Sequence, residues 1–295
     1  YGFLTGPGRL VELRAQIPRL DEKLAALEKA ALPWQRFRFA AAEAQWQHDT
    51  LEGLILELEA FVDPDPYRGV LASAQRALDR TLEIERRSRT EQHDAWAAAI
   101  AATADRERSP AYQGLAIVPQ FGLVPLGPDP ASGLQEFAHL PTGEPPRRGE
   151  DGKLVLAGNM SLVFVLLPGG AFRMGAMKPT ADRPLGSPNV DAEARDESPV
   201  HEVTLDPFFI SKFEMTQAQW LAVTGTNPSG VKRGGYQPVE QVSWEDCHRV
   251  LDRIGLEMPT EAQWEYAARG GTGTVWWTGN EKESLRGAAN VADSF

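Results

Sequence analysis

Along residues 9–30 the apolar positions fall at Leu10, Leu13, Ile17, Leu20, Leu24 and Leu27. Steps that alternate between three and four residues make a heptad seam, which predicts helix. Pro18 lies inside the seam, so the helix kinks or begins there. Two readings of this stretch stay open: an amphipathic hairpin packed on its own neighbours, and a coiled-coil segment that pairs two chains. Pro33-Trp34 breaks the pattern. A second helix is predicted over 38–61, carrying Phe39, Trp46, Leu51, Leu54, Leu58 and Phe61. The prolines of Asp63-Pro64-Asp65-Pro66 then force an extended turn. A third helix is predicted over 69–87 and a fourth over 92–105, with Trp96 and Ile100 facing inward. The charges interleaved through residues 1–110 read as a solvated face.

After Ser109-Pro110 the period changes. The stretches L-A-I-V-P-Q, G-L-V-P-L-G and L-Q-E-F-A-H-L, separated by glycine- and proline-rich turns, predict short strands. Residues 111–160 are therefore expected to be a short β-rich connector. Residues 163–175, V-F-V-L-L-P-G-G-A-F-R-M-G, read as a buried strand, a Pro-Gly-Gly turn and a second strand, together a hairpin. Further strands are expected at 200–205 and 208–213, and a short one ending at Gln241-Val242. The polar stretches 176–199 and 227–237 are expected to be surface loops.

Three short helices are announced by their caps. Thr216 with Gln219, and Thr260 with Gln263, have the spacing of a capping box, and Ser243 caps the helix opened by Trp244. Gly255 and Gly270-Gly271 mark two of the ends. Trp220, Trp244, Trp264 and Tyr266 are expected to anchor the core.

These blocks, in the order VLLPGGAFRMG, ESPVHEVTLDPFFISKFEMTQAQW, PVEQVSWEDC, MPTEAQWEYAARGGTGT and AANVAD, closely resemble the formylglycine-generating enzyme (sulfatase-modifying factor) family over residues 162–295. The motifs cover the N-terminal half of such a domain. The resemblance implies an α+β fold: a helical N-terminal region (1–110), the connector (111–160), and a partial C-type-lectin-like domain (161–295). It also implies an oxidoreductase that converts a target cysteine to formylglycine with O2 and copper held by two cysteines. Two thiolates are soft ligands suited to Cu(I). The family's catalytic cysteines belong to the half not covered here, and Cys247 matches neither, reading as a small buried residue. The resemblance further implies structural Ca2+, held partly by the Asn side chain and following carbonyl of an A-N-V motif. Asn290 and Val291 are the candidate ligands, with the rest of the shell expected beyond Phe295 and no role assigned to Asp293. A polypeptide substrate or protein ligand is the expected partner.

The segment GLVPLGPDPASGLQEFAHLPTGEPP resembles what precedes this domain in bacterial proteins linked to a Ser/Thr kinase, although the chain has no Gly-rich loop, H-R-D or D-F-G. That supports an alternative, a non-catalytic binding or regulatory module. Composition adds a few bounds. Two domains fit in 295 residues. A net charge of -11 argues against a nucleic-acid partner. No run approaches the ~20 apolar residues of a membrane span. The single cysteine favours a reducing compartment, so a cytoplasmic location is expected. His48, His93, His201 and His248 read as surface or helix histidines without partners at metal-ligand spacing.

Overall fold

The computed structural model describes residues 18–23, 38–65, 67–232 and 234–289. Most of the heptad seam lies outside the described residues, so neither of its two readings is tested. The chain divides into two compact units, residues 1–75 and 76–295.

In the first unit, 18–23 is helical, and helix α1 runs over Ala42–Val62. Its N-terminus is fastened by Gln45, whose Oε1 accepts from the Phe39 N–H at 2.9 Å. At its C-terminus Asp63 Oδ1 accepts from the Asp65 N–H at 2.8 Å, as the proline-rich turn requires. No residue of α1 is buried. Helix α2, Val70–Glu85, leads on into the second unit.

The second unit is an α+β arrangement. After α2 and one π turn comes α3, His93–Ala104, which closes the helical part near its expected end. The strands are β1 (Leu123–Pro128), β2 (Gln135–His139), β3 (Val163–Leu167), β4 (Gly170–Met174), β5 (His201–Leu205) and β6 (Phe208–Ser211). Four form an antiparallel sheet in the order β1-β2-β3-β6, and β4 pairs with β5 in a separate ladder. Helices α4 (Gln217–Thr224), α5 (Trp244–Arg253) and α6 (Glu261–Arg269) follow. All three open on complete capping boxes: Thr216 with Gln219, Ser243 with Asp246, and Thr260 with Gln263.

The expected hairpin at 163–175 does not form. β3 pairs with β6 and β4 with β5, and the two ladders share one register: Leu167 faces Phe208, and Gly170 faces Leu205. They are a single long ladder, interrupted where Pro168 stands opposite Pro207. Neither proline has an N–H to donate, so the rungs must stop there. Gly169 sits in the break at φ 70°, where a Cβ would collide with the Leu205 carbonyl. The Pro-Gly-Gly sequence thus bends a strand rather than reversing it.

The stretch read as a connector is built into the sheet. Its strand β2 pairs with β3, from Glu136 opposite Val165 to Ala138 opposite Val163. One core then spans the unit, joining Trp96 and Ala99 of α3, Tyr112, Leu123 and Phe137 to Leu162, Phe164 and Leu166. Trp96 donates its indole N–H to the Ser88 carbonyl at 2.7 Å and packs 5.4 Å from Phe137. The Tyr112 hydroxyl donates to the Leu166 carbonyl at 2.9 Å and accepts from the Gln135 N–H at 2.7 Å, replacing the next β2-β3 rung.

A charged cluster sits beneath this sheet. Glu136 is wholly buried, with its carboxylate meeting Arg148 at 2.7 Å and also Lys212. Lys212 reaches Asp129 at 2.8 Å. Arg148 donates as well to the carbonyls of Leu126, Gly127 and Gly152. Burial alone would raise the Asp129 carboxyl, but Lys212 and Ser132 outweigh it and hold the group well below the usual carboxylate range. Burial likewise opposes the Lys212 charge, and the bonds to Asp129 and Glu136 overcome it.

Several expectations need correction. Residues 239–242 form no strand; Gln241 has φ 59°, which ends extended structure. Of the expected anchors, Trp220 is buried, but Trp244 and Trp264 are each 62% exposed. Tyr266 faces inward, with its hydroxyl 2.5 Å from the Gly169 carbonyl. Two residues earlier on a helix is about 200° around the axis, which turns Trp264 outward. On α5 the buried residue is Val250 rather than Trp244.

His139 is buried against Phe164, and burial lowers its pKa to about 4. The folded state therefore keeps the ring neutral while the unfolded chain protonates near pH 6.5. Stability is full above about pH 6.5 and falls by up to roughly 3 kcal/mol as pH drops towards 4. Asp129, with its pKa depressed, loses stability only at lower pH, below the unfolded carboxylate value. Thermal melts should fall between pH 6.5 and 4, and His139→Gln should flatten that window alone. A melt insensitive to pH there would contradict the assignment.

Candidate functional site

The stretches expected to be surface loops are in fact tied down by polar side chains. Gly175 ends β4 at φ 91°. Its N–H donates to Glu265 Oε1 at 2.8 Å, and its carbonyl accepts from Arg269 at 2.9 Å and Asn189 at 2.8 Å. Glu265 and Arg269 pair on one face of α6 at four-residue spacing. Asn189 is buried, and its second bond goes to the Arg173 carbonyl. This knot holds the loop 176–200 against β4 and α6. The loop 227–240 is held in the same way by Gln217, a buried residue at the start of α4. Its amide donates to the Val231 and Pro238 carbonyls and accepts from Asn227.

Fixing the second loop leaves a cleft of about 230 Å³ against α4 and α5. Its lining includes Trp220 and Val250, which are buried, with Thr224, Gln241, Arg249 and Arg253. Gln241 is held in the left-handed region there, a conformation that costs a non-glycine residue about 1 kcal/mol or more. Arg249 is paired with Asp246 at 2.8 Å. The Asp246 carboxyl is held below its ordinary value by the Ser243 N–H and hydroxyl, with Arg249 adding to the effect. Two guanidinium groups over an apolar floor can hold a carboxylate or another small anion.

Asn290 and Val291, with Asp293, lie outside the described residues. Cys247 stands half-buried on α5, and burial followed by the Asp246 charge pushes its thiol up. The chain has no second cysteine. A site that takes copper through two thiolates does not fit these residues.

The histidines are structural or exposed, with one change from expectation. His48 does have acidic neighbours: ligand atoms of His48, Asp49 and Glu52 lie within 4.8 Å of one another on α1. Such groups are common on acidic helices without an ion. His201 donates its Nδ1–H to the Pro199 carbonyl, and His248 lies 3.4 Å from Asp252 one helical turn on.

Sequence reasoning missed Asn189, Gln217 and Gln241, because nothing local marks a polar side chain that will bind a distant backbone. Glu265 and Arg269 carried a readable signal, their four-residue spacing.

Residues 158–295 match the family model described as "Sulfatase-modifying factor enzyme 1-like domain". The chain is 34% identical over 108 residues to the chaperone protein LppX of Paenibacillus barcinonensis, covering 23% of this chain and 38% of that protein. It is 28% identical over 159 residues to the formylglycine-generating enzyme of Thermomonospora curvata, covering 37% of this chain and 49% of that protein. It is 30% identical over 157 residues to the serine/threonine-protein kinase pkn1 of Chlamydia pneumoniae, covering 44% of this chain and 23% of that protein. The chain thus spans less than half the length of each of these three relatives.

Cys247 supplies a direct check on the electrostatics of α5. Its alkylation by iodoacetamide at neutral pH should be slower than that of a free cysteine, because the thiolate is the nucleophile. The rate should rise with an apparent pKa above the ordinary thiol value. A profile at or below that value would contradict the raised pKa.

Proposed function

We propose that residues 158–295, which match the model described as "Sulfatase-modifying factor enzyme 1-like domain", serve as the scaffold and polypeptide-binding part of a formylglycine-generating-enzyme-like protein. On this reading the chain does not oxidise cysteine by itself. The observation that carries the reading is the thiol inventory: one cysteine, half-buried, with its pKa raised. Oxidation of a target cysteine with O2 and copper needs two thiolates to hold Cu(I). On this reading the two copper-holding thiolates are not both supplied by this chain. Asn290 and Val291 remain the proposed oxygen donors to a structural Ca2+, a hard cation suited to such ligands.

A second reading is a non-catalytic regulatory module in a kinase-linked protein. The similarity to pkn1 favours it, since the matched part is under a quarter of that kinase. The same fold can carry either role, so the site has to decide between them.

Anaerobic titration with Cu(I) against a chromogenic Cu(I) chelator tests the first reading. The chain should take no copper from micromolar chelator, and Cys247→Ser should behave identically. Stoichiometric copper transfer to the chain would overturn the proposal.

A further inference from the structure

Helices α4 and α5 each turn one face to the cleft beside α5. On α5, Asp246, Arg249, Val250 and Arg253 line it, at a spacing that keeps all four on one helical face. Asp246 is already committed: its carboxylate accepts from the Ser243 N–H and hydroxyl and from Arg249. Arg253 meets no carboxylate among the described residues. Two arginines one helical turn apart repel each other unless an anion offsets them.

The floor adds a donor. Trp220 is only 6% exposed. Among the described residues its indole N–H has no acceptor, yet the atom is not sealed from solvent. A buried indole ordinarily finds a partner, as Trp96 does at the Ser88 carbonyl. The opening through which the Trp220 N–H meets solvent is the cleft that this residue lines. The Gln241 amide, on the same lining, is likewise unpaired among the described residues.

Charge and size narrow the ligand. Two arginines against one aspartate leave the lining a single positive charge. That suits a monoanion and disfavours a dianion such as phosphate, which the Asp246 carboxylate would repel more strongly. A volume of about 230 Å³ lies below the roughly 300–1,000 Å³ of ordinary small-molecule sites, so the ligand is about one residue in size.

We propose that this cleft binds a monoanionic carboxylate joined to a small branched apolar group. The carboxylate takes the Arg253 guanidinium and the Trp220 N–H, and the apolar group lies on Val242 and Val250. A free aliphatic acid and the C-terminal residue of a polypeptide share this chemistry. The site stands whichever of the two roles above the domain plays.

NMR titration of the full chain, isotopically labelled at its tryptophans, with N-acetylleucine tests this. The Trp220 indole N–H signal, identified by its loss in Trp220→Phe, should move and saturate with a dissociation constant on the order of millimolar. N-acetylleucinamide, which lacks the charge, should leave that signal in place, and inorganic phosphate should bind more weakly than the acid. Followed through the ligand's own signals, Arg253→Gln and Trp220→Phe should each weaken binding by roughly tenfold. Lys153→Gln, outside the lining, should bind like wild type. Isocaproate separates the two sources: affinity equal to that of N-acetylleucine supports a free acid, and weaker affinity supports a polypeptide C-terminus. No saturable shift at tens of millimolar, equal binding of the amide or of phosphate, or an Arg253→Gln variant that binds like wild type would overturn the proposal.

Discussion

A carboxylate with no exposed surface has to find its counter-charges inside the protein. Glu136 has two, Arg148 and Lys212, and they come from opposite sides of the boundary suggested by the family match. Arg148 lies before residue 158, and Lys212 directly follows β6. Breaking a buried pair by removing one partner costs about 3–5 kcal/mol. The cluster therefore makes the strands of 123–139 part of the same folded body as the strands of 163–211. The Tyr112 hydroxyl and the shared core of Trp96, Phe137 and Leu166 join the same two stretches by other means.

From that sheet a single ladder runs outward, through β3 and β4 on one arm and β6 and β5 on the other. Paired prolines bend it without shifting its register. Its far end would be a free tip carrying a long polar loop. Asn189, Glu265 and Arg269 prevent that by satisfying the backbone of Gly175 and locking the tip against α6. Gln217 does the same for the next loop. Buried polar groups that are fully bonded fix one conformation, and here they shape the cleft beside α5.

Much of the fold was legible in the sequence. The three capped helices follow from side chains three residues apart, a local rule that tertiary packing left undisturbed. Trp96 could be placed inward by helical period alone. The false hairpin at Pro168-Gly169-Gly170 shows the limit of local reading: those residues suit a reversal, but only the position of Pro207, 39 residues away, reveals a bend. Trp244 and Trp264 show a second limit. Size and apolarity argued for burial, while the face of each helix was set by Val250 and Tyr266. For the candidate site, Cys247 was read from the chain alone as a small buried residue, and it stands half-buried on α5. The cleft could not be seen, because its shape depends on the left-handed Gln241 and on long-range bonds from Gln217.

Native-state hydrogen exchange on the full chain and on Glu136→Gln tests the central claim, that residues 111–160 and the matched domain fold as one body. Removing the charge should lower the protection of the β2 amides and the β6 amides together, by a similar amount. If β2 lost protection while β3 and β6 kept theirs, the earlier strands would be a separate attachment and the account would be wrong.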